Sequence, residues 1–197
     1  MPKIVDHNER KEKIAEAAWR VIRRDGLDSA SVRRVAEEMG ISLGALRHYF
    51  ESQDELLAYS MRLISSRAHA RIEKLPFNGE PRHDMMLVIA ELLPLDEVRI
   101  AEAEVWLAFA GKAISHPAIR ELSREVHQEL YTGFRRTIDH LVKHKLTKAD
   151  IDAELETRRL HALIDGLVVH HATYPELSNR EDMLRTISYH IDCLLQA

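Results

Sequence analysis

From Met39 to Phe50 the chain carries no carboxylate, and the polar side chains there are Ser42, Arg47, His48 and Tyr49. Such a stretch suits a polyanion. A guanidinium pairs two-pronged with the O6 and N7 edge of guanine, so Arg47 is the candidate base reader. Ser42, Leu43, Ala45 and His48 are the other outward positions of the same short segment, where early residues of a reading helix meet base edges. Ser31, Arg33, Tyr49 and Gln53 flank it as candidate phosphate contacts, which set register rather than sequence preference. An alternative for an arginine such as Arg33 is simply a solvated helix face.

The twelve histidines are the second group able to do chemistry. His140 and His144 stand one helical turn apart, and His170 and His171 are adjacent. Zinc needs two more converging ligands, and no cysteine or Glu-rich partner lies near either pair, so no metal and no cofactor is expected. There is no Gly-rich phosphate loop and no nucleophile elbow, hence no catalytic residues and no enzyme are expected.

Positioning Arg47 requires helices, and helical spacing is what the chain shows. No strand-like alternation appears, and only 7 glycines and 6 prolines interrupt 197 residues. Ile14, Ala17, Ala18, Val21 and Ile22 lie on one face of a first helix over His7–Asp25, stopped at Gly26. Short helices are predicted over Val32–Met39 and Leu43–Phe50. Between them Ala36 allows close crossing, Gly40 supplies a residue comfortable at positive φ, and Ser42 caps the second. Val35, Met39, Ile41 and Leu46 should face inward. Ser52 and Glu55 read as a capping box opening a long helix to about Lys74. Pro81, Pro94, Pro117 and Pro175 divide the rest into five helices, with Thr147–Asp150 and Ser178–Glu181 marking two later starts. The expected class is all-α, nine helices in total, with a reading head over 1–52 and a second domain over 53–197.

Charge is polarised along this plan. Residues 1–50 carry ten bases against eight acids, and the remainder eighteen against twenty-four, within a net −4. A basic head on an acidic body fits a DNA partner better than the overall sum does. The lone Cys193 fits a reducing cytoplasm, no apolar run is long enough for a membrane span, and the first ten residues lack a signal peptide's apolar stretch.

The segment Ser31–Phe50, with the helix before it and Phe50-Glu-Ser-Gln-Asp-Glu-Leu-Leu57 after it, resembles the TetR family of bacterial repressors. The resemblance implies a homodimer that represses until a small molecule binds the C-terminal domain. Two departures stand out: Arg47 replaces a tyrosine common in the family, and Gln53 a lysine that meets a phosphate. The stretch Leu163–Leu167 and its spacing to the last helix resemble the BetI-like subgroup. The family's ligand cavity would then draw on Met61, Ile64, Met85, Met86, Ile89, Trp106, Phe109, His127, Tyr131 and Phe134, a mostly apolar lining suited to an apolar or amphipathic effector. A filled core with an exposed groove would instead favour a protein partner as the signal. Two late apolar stripes, Leu160, Leu163, Ile164, Leu167 and Met183, Ile187, Ile191, Leu194, are candidates for the dimer interface, with intrachain core as the alternative.

Overall fold

Tight punctuation between helices sets the architecture. The structure, a computed structural model, describes residues 7–196, so Lys3 and Asp6 of the basic head lie outside it. Among the described residues there are nine α-helices and no strand: α1 His7–Asp25, α2 Val32–Met39, α3 Leu43–Arg47, α4 Gln53–Ile72, α5 Pro81–Ala90, α6 Glu97–Ala113, α7 Pro117–Lys143, α8 Ala153–Thr173 and α9 Arg180–Leu194. Pro81 and Pro117 each open a helix, where a missing N–H costs nothing.

Three expected boundaries need correction. Helix α3 stops at Arg47 rather than Phe50 and continues only as a turn, Tyr49 N–H bonding Leu46 O at 2.9 Å. Thr147 does not cap α8. It is buried in a two-residue bridge with Leu195, and Asp152 caps α8 by accepting from the amides of Glu154 and Leu155. Ser178 does not cap α9 either: Asn179 accepts from Asp182 N, while the Ser178 carbonyl lies 2.9 Å from His171 Nδ1. In both cases a nearby acceptor of better geometry takes the helix amides, and tertiary pairing claims the residue first chosen.

The chain packs as two compact units. The first joins residues up to Arg67 with Glu104–Ser123; the second joins Ala68–Ala103 with Arg124 onward. In the first, Ile14, Ala17, Ala18, Val21 and Ile22 are at most 2% exposed, and Val35, Ala36, Leu46 and Phe50 share that core. Trp19 anchors α1 to α4, its Nε1 donating to Ser60 O at 3.1 Å. The second unit is built on Met85, Ile89, Phe134, Ile138, Leu160 and Ile187 with their neighbours. Each such side chain contributes about 1.5–3 kcal/mol by leaving water. Its buried Glu102 carboxylate is satisfied: Arg71 grips it with two bonds, 3.0 and 2.8 Å, and also reaches the half-buried Glu91 at 2.8 Å.

Candidate nucleic-acid interface and effector region

The turn between α2 and α3 is closed by backbone bonds on both sides. Gly40, at φ 65° and ψ 31°, donates to Glu37 O at 3.1 Å, and Ile41 N–H donates to Ala36 O at 3.0 Å. This is a Schellman closure, which needs a left-handed residue where glycine costs least. Ser31 Oγ accepts from Arg34 N at 3.2 Å and Ser42 Oγ from Ala45 N at 3.1 Å, so both helices are capped. Leu46, with no exposed surface, fastens α3 to the core from below. The outer face is then fixed: Ser42, Ala45, Arg47 and His48 are exposed, and Leu43 and Tyr49 half-buried. Met39 and Ile41, expected inward, are also half-buried.

The three arginines of α2 and α3 differ in one respect. Arg33 bonds Glu37 at 3.2 Å, and Arg34 reaches Asp25 at 3.4 Å and Glu37 at 3.6 Å. Arg47 has no carboxylate partner among the described residues. Its guanidinium is therefore free for a ligand, whereas Arg33 must exchange a carboxylate for a phosphate. Ser31 and Gln53 are half-buried at the starts of α2 and α4. Glu55 completes its capping box one residue early, accepting from Glu51 N at 2.9 Å, while Ser52 accepts from Glu55 N at 3.1 Å.

The residues expected around an effector fall in both units. Met61 and Phe109 are buried and Ile64 and Trp106 half-buried in the first. In the second, Met85, Ile89 and Phe134 belong to the core, with Met86 packed against it. Met85 also lines an apolar groove of about 200 Å³ with Phe77, Val88, Leu141 and Leu146. Tyr131 donates to Glu154 at 2.6 Å, and His127 is exposed on α7.

Comparison with known proteins decides the family. Residues 14–60 match the model of bacterial regulatory proteins of the tetR family, and residues 81–196 that of the BetI-type transcriptional repressor C-terminal region. The HTH-type transcriptional regulator PksA of Bacillus subtilis is 38% identical, over 98% of this chain and 94% of its own. The chain belongs to the TetR family of transcriptional regulators. It has a helix-turn-helix DNA-binding part and a BetI-type ligand-binding part, and its relatives are regulators rather than enzymes. The crystal structure of a transcriptional regulator from Rhodococcus sp. Rha1 superposes with a TM-score of 0.79 at 31% identity, covering 92% of this chain and 94% of that one. A regulator from Saccharomonospora viridis in complex with choline gives 0.80 at 25% identity, over 96% and 100%.

In this TetR-family chain most of the residues in the two late stripes are buried within one copy. Leu160, Ile164, Met183, Ile187, Ile191 and Leu194 are at most 4% exposed within one copy, and only Leu163 and Leu167 are half-buried. Two titratable groups escaped the sequence reading. His161 is 4% exposed and stacks on His127, ring centroids 4.4 Å apart; burial first, and charge on His127 second, push its pKa down to about 4. Burial raises the Asp165 carboxyl one turn along α8. Neither stands out in sequence, because the neighbour that defines them arrives from another helix.

Proposed function

We propose that this TetR-family regulator is a repressor that binds a palindromic operator as a homodimer and is released by a small, mostly apolar or amphipathic effector. Its reading head is residues 1–52 and its effector and dimerisation region 53–197. The observation that carries the reading is the exposed, carboxylate-free Arg47 on a helix capped at Ser42 and clamped at Leu46. In a helix-turn-helix that position enters the major groove, and a free guanidinium there reads guanine. Such a regulator works beside the chromosome, in the cytoplasm; no helix among the described residues is long and apolar enough to cross a membrane.

A two-fold operator needs a second copy, and α8 offers a face for one. Leu155 is 57% exposed on it, Leu163 is half-buried, and a Cβ at Gly166 would meet nothing within 4 Å. These three fall on one side of the helix. Glycine inside a helix costs about 1 kcal/mol relative to alanine, so close approach by another chain is the natural reason for it. For the effector, the methionine, aliphatic and aromatic side chains of Met85, Met86, Ile89 and Phe134 support apolar chemistry. Choline is not carried over from the Saccharomonospora protein. A quaternary ammonium asks for an open aromatic cage, whereas the Phe134 and Tyr131 rings face His161. Release follows if effector binds better to a dimer whose heads no longer match successive major grooves.

The test is a footprint on host DNA followed by fluorescence anisotropy on the protected duplex. Arg47→Ala should cost about 1–3 kcal/mol there and relax preference at one position in each half-site. Equal losses on cognate and random duplex would reduce Arg47 to a phosphate contact, and no footprint at low salt would end the regulator reading.

A further inference from the structure

We propose that His127, His161 and Asp165 form a binding site for one first-row divalent transition metal ion per chain, Zn²⁺ being its simplest occupant. His161 and Asp165 stand one turn apart on α8, with Nε2 and Oδ2 separated by 3.7 Å. His127 comes from α7 and lays its ring against His161 at an interplanar angle of 23°. One donor atom from each of the three lies within 4.8 Å of the other two. Donors about 2.0–2.2 Å from a tetrahedral ion sit about 3.4 Å from each other. The His161–Asp165 edge is thus already near ligand spacing, and the edges to His127 must close by up to about 1.5 Å. The movable members are the right ones: His127 is exposed, and the Asp165 side chain is 34% exposed.

A second observation points to a ligand. His161 is 4% exposed and neither ring nitrogen makes a hydrogen bond among the described residues; its contacts are rings and, at 3.7 Å, the Asp165 carboxylate. The imidazole lone pair is therefore not committed to a hydrogen-bond donor among the described residues and remains available to an ion. Two imidazoles and a carboxylate are the donor set of open zinc and non-haem iron sites, with water at the remaining position. Mg²⁺ and Ca²⁺ prefer all-oxygen shells and are disfavoured. Tyr131 is not a fourth ligand, because its hydroxyl is engaged with Glu154. An ion here would add a coordinate link between α7 and α8 beside the Tyr131–Glu154 and Arg135–Glu154 contacts that already join them.

The experiment uses the full chain without a histidine tag, stripped by chelator and titrated with Zn²⁺ in equilibrium dialysis, and separately with Co²⁺ followed by visible absorption. One ion per chain and a raised melting temperature are expected. His127→Ala removes an exposed side chain and Asp165→Asn keeps the side chain's shape, so circular dichroism should be unchanged while Zn²⁺ affinity falls at least about 10–100-fold. Replacing His140 and His144 by alanine together should leave affinity unaltered. The proposal is overturned if the native chain retains no Zn²⁺ or Co²⁺, if His127→Ala binds as tightly as the native chain, or if binding disappears with His140 and His144 instead.

Discussion

His190 is a side chain whose surroundings decide its protonation. Its Nδ1 lies 3.1 Å from the Arg159 guanidinium, which only donates, so Nδ1 accepts and Nε2 carries the proton. That Nε2 is buried and has no partner among the described residues. Protonating Nδ1 would break the bond and set two cations together in a dry place. Burial first, and Arg159 second, therefore hold the His190 pKa below its ordinary value, with Glu156 pulling weakly the other way. The folded state then binds fewer protons than the unfolded one once pH drops past about 6.5, the unfolded histidine value. Stability present above that pH is lost as pH falls toward the folded value, by up to about 1.4 kcal/mol per pH unit. Urea melts at several pH values should show His190→Asn, which keeps an acceptor and cannot charge, losing less stability than the native chain below pH ~6.5. Parallel losses would mean that Arg159 swings away and His190 titrates freely.

Among the elements, the α2–turn–α3 pair is held by local rules, and its failure modes follow from them. Gly40 has open space where a Cβ would go, so an alanine there meets no clash and only the left-handed backbone is penalised. Gly40→Ala should cost about 1–2 kcal/mol in chemical denaturation and weaken DNA binding by loosening α3. A neutral effect would show that the turn tolerates a different closure. The same locality explains why this motif could be read from residues alone: Ser31, Ala36, Gly40 and Ser42 act on neighbours within five positions. Thr147 and Ser178 carry equally good cap spacing, but Thr147 pairs with distant Leu195 and Ser178 meets His171 through its carbonyl, so cap spacing alone cannot show their roles. The stripe through Leu160 and Ile164 said truthfully that one face is buried, but helical spacing cannot say which chain buries it. His127 and His161 meet only because α7 packs on α8, across a separation no motif spans.

At the scale of the whole molecule, the proposed reading of a palindrome requires more than one chain, since a palindrome is read by symmetry and each half-site by one head. With most of the late stripe residues buried within one copy, the proposed second copy is assigned to the outward side of α8, where Leu155 and Leu163 lie. Gly166 is the position where that idea can be tested without harming the single chain. Nothing lies within 4 Å of a Cβ placed there, so a larger residue leaves the backbone without a clash at its first carbon, and arginine replaces a poor helix former with a good one. Across a two-fold axis the same change would put two guanidinium groups face to face in a desolvated contact. Light scattering should find Gly166→Arg monomeric, with helical content and melting no worse than those of the native chain. Its affinity for a single half-site should be retained, while affinity for the full palindrome falls to roughly that of one head, because the second binding event loses its effective concentration. If Gly166→Arg stays dimeric and grips the palindrome as the native chain does, the partner docks elsewhere, and the exposed side of α8 serves another purpose.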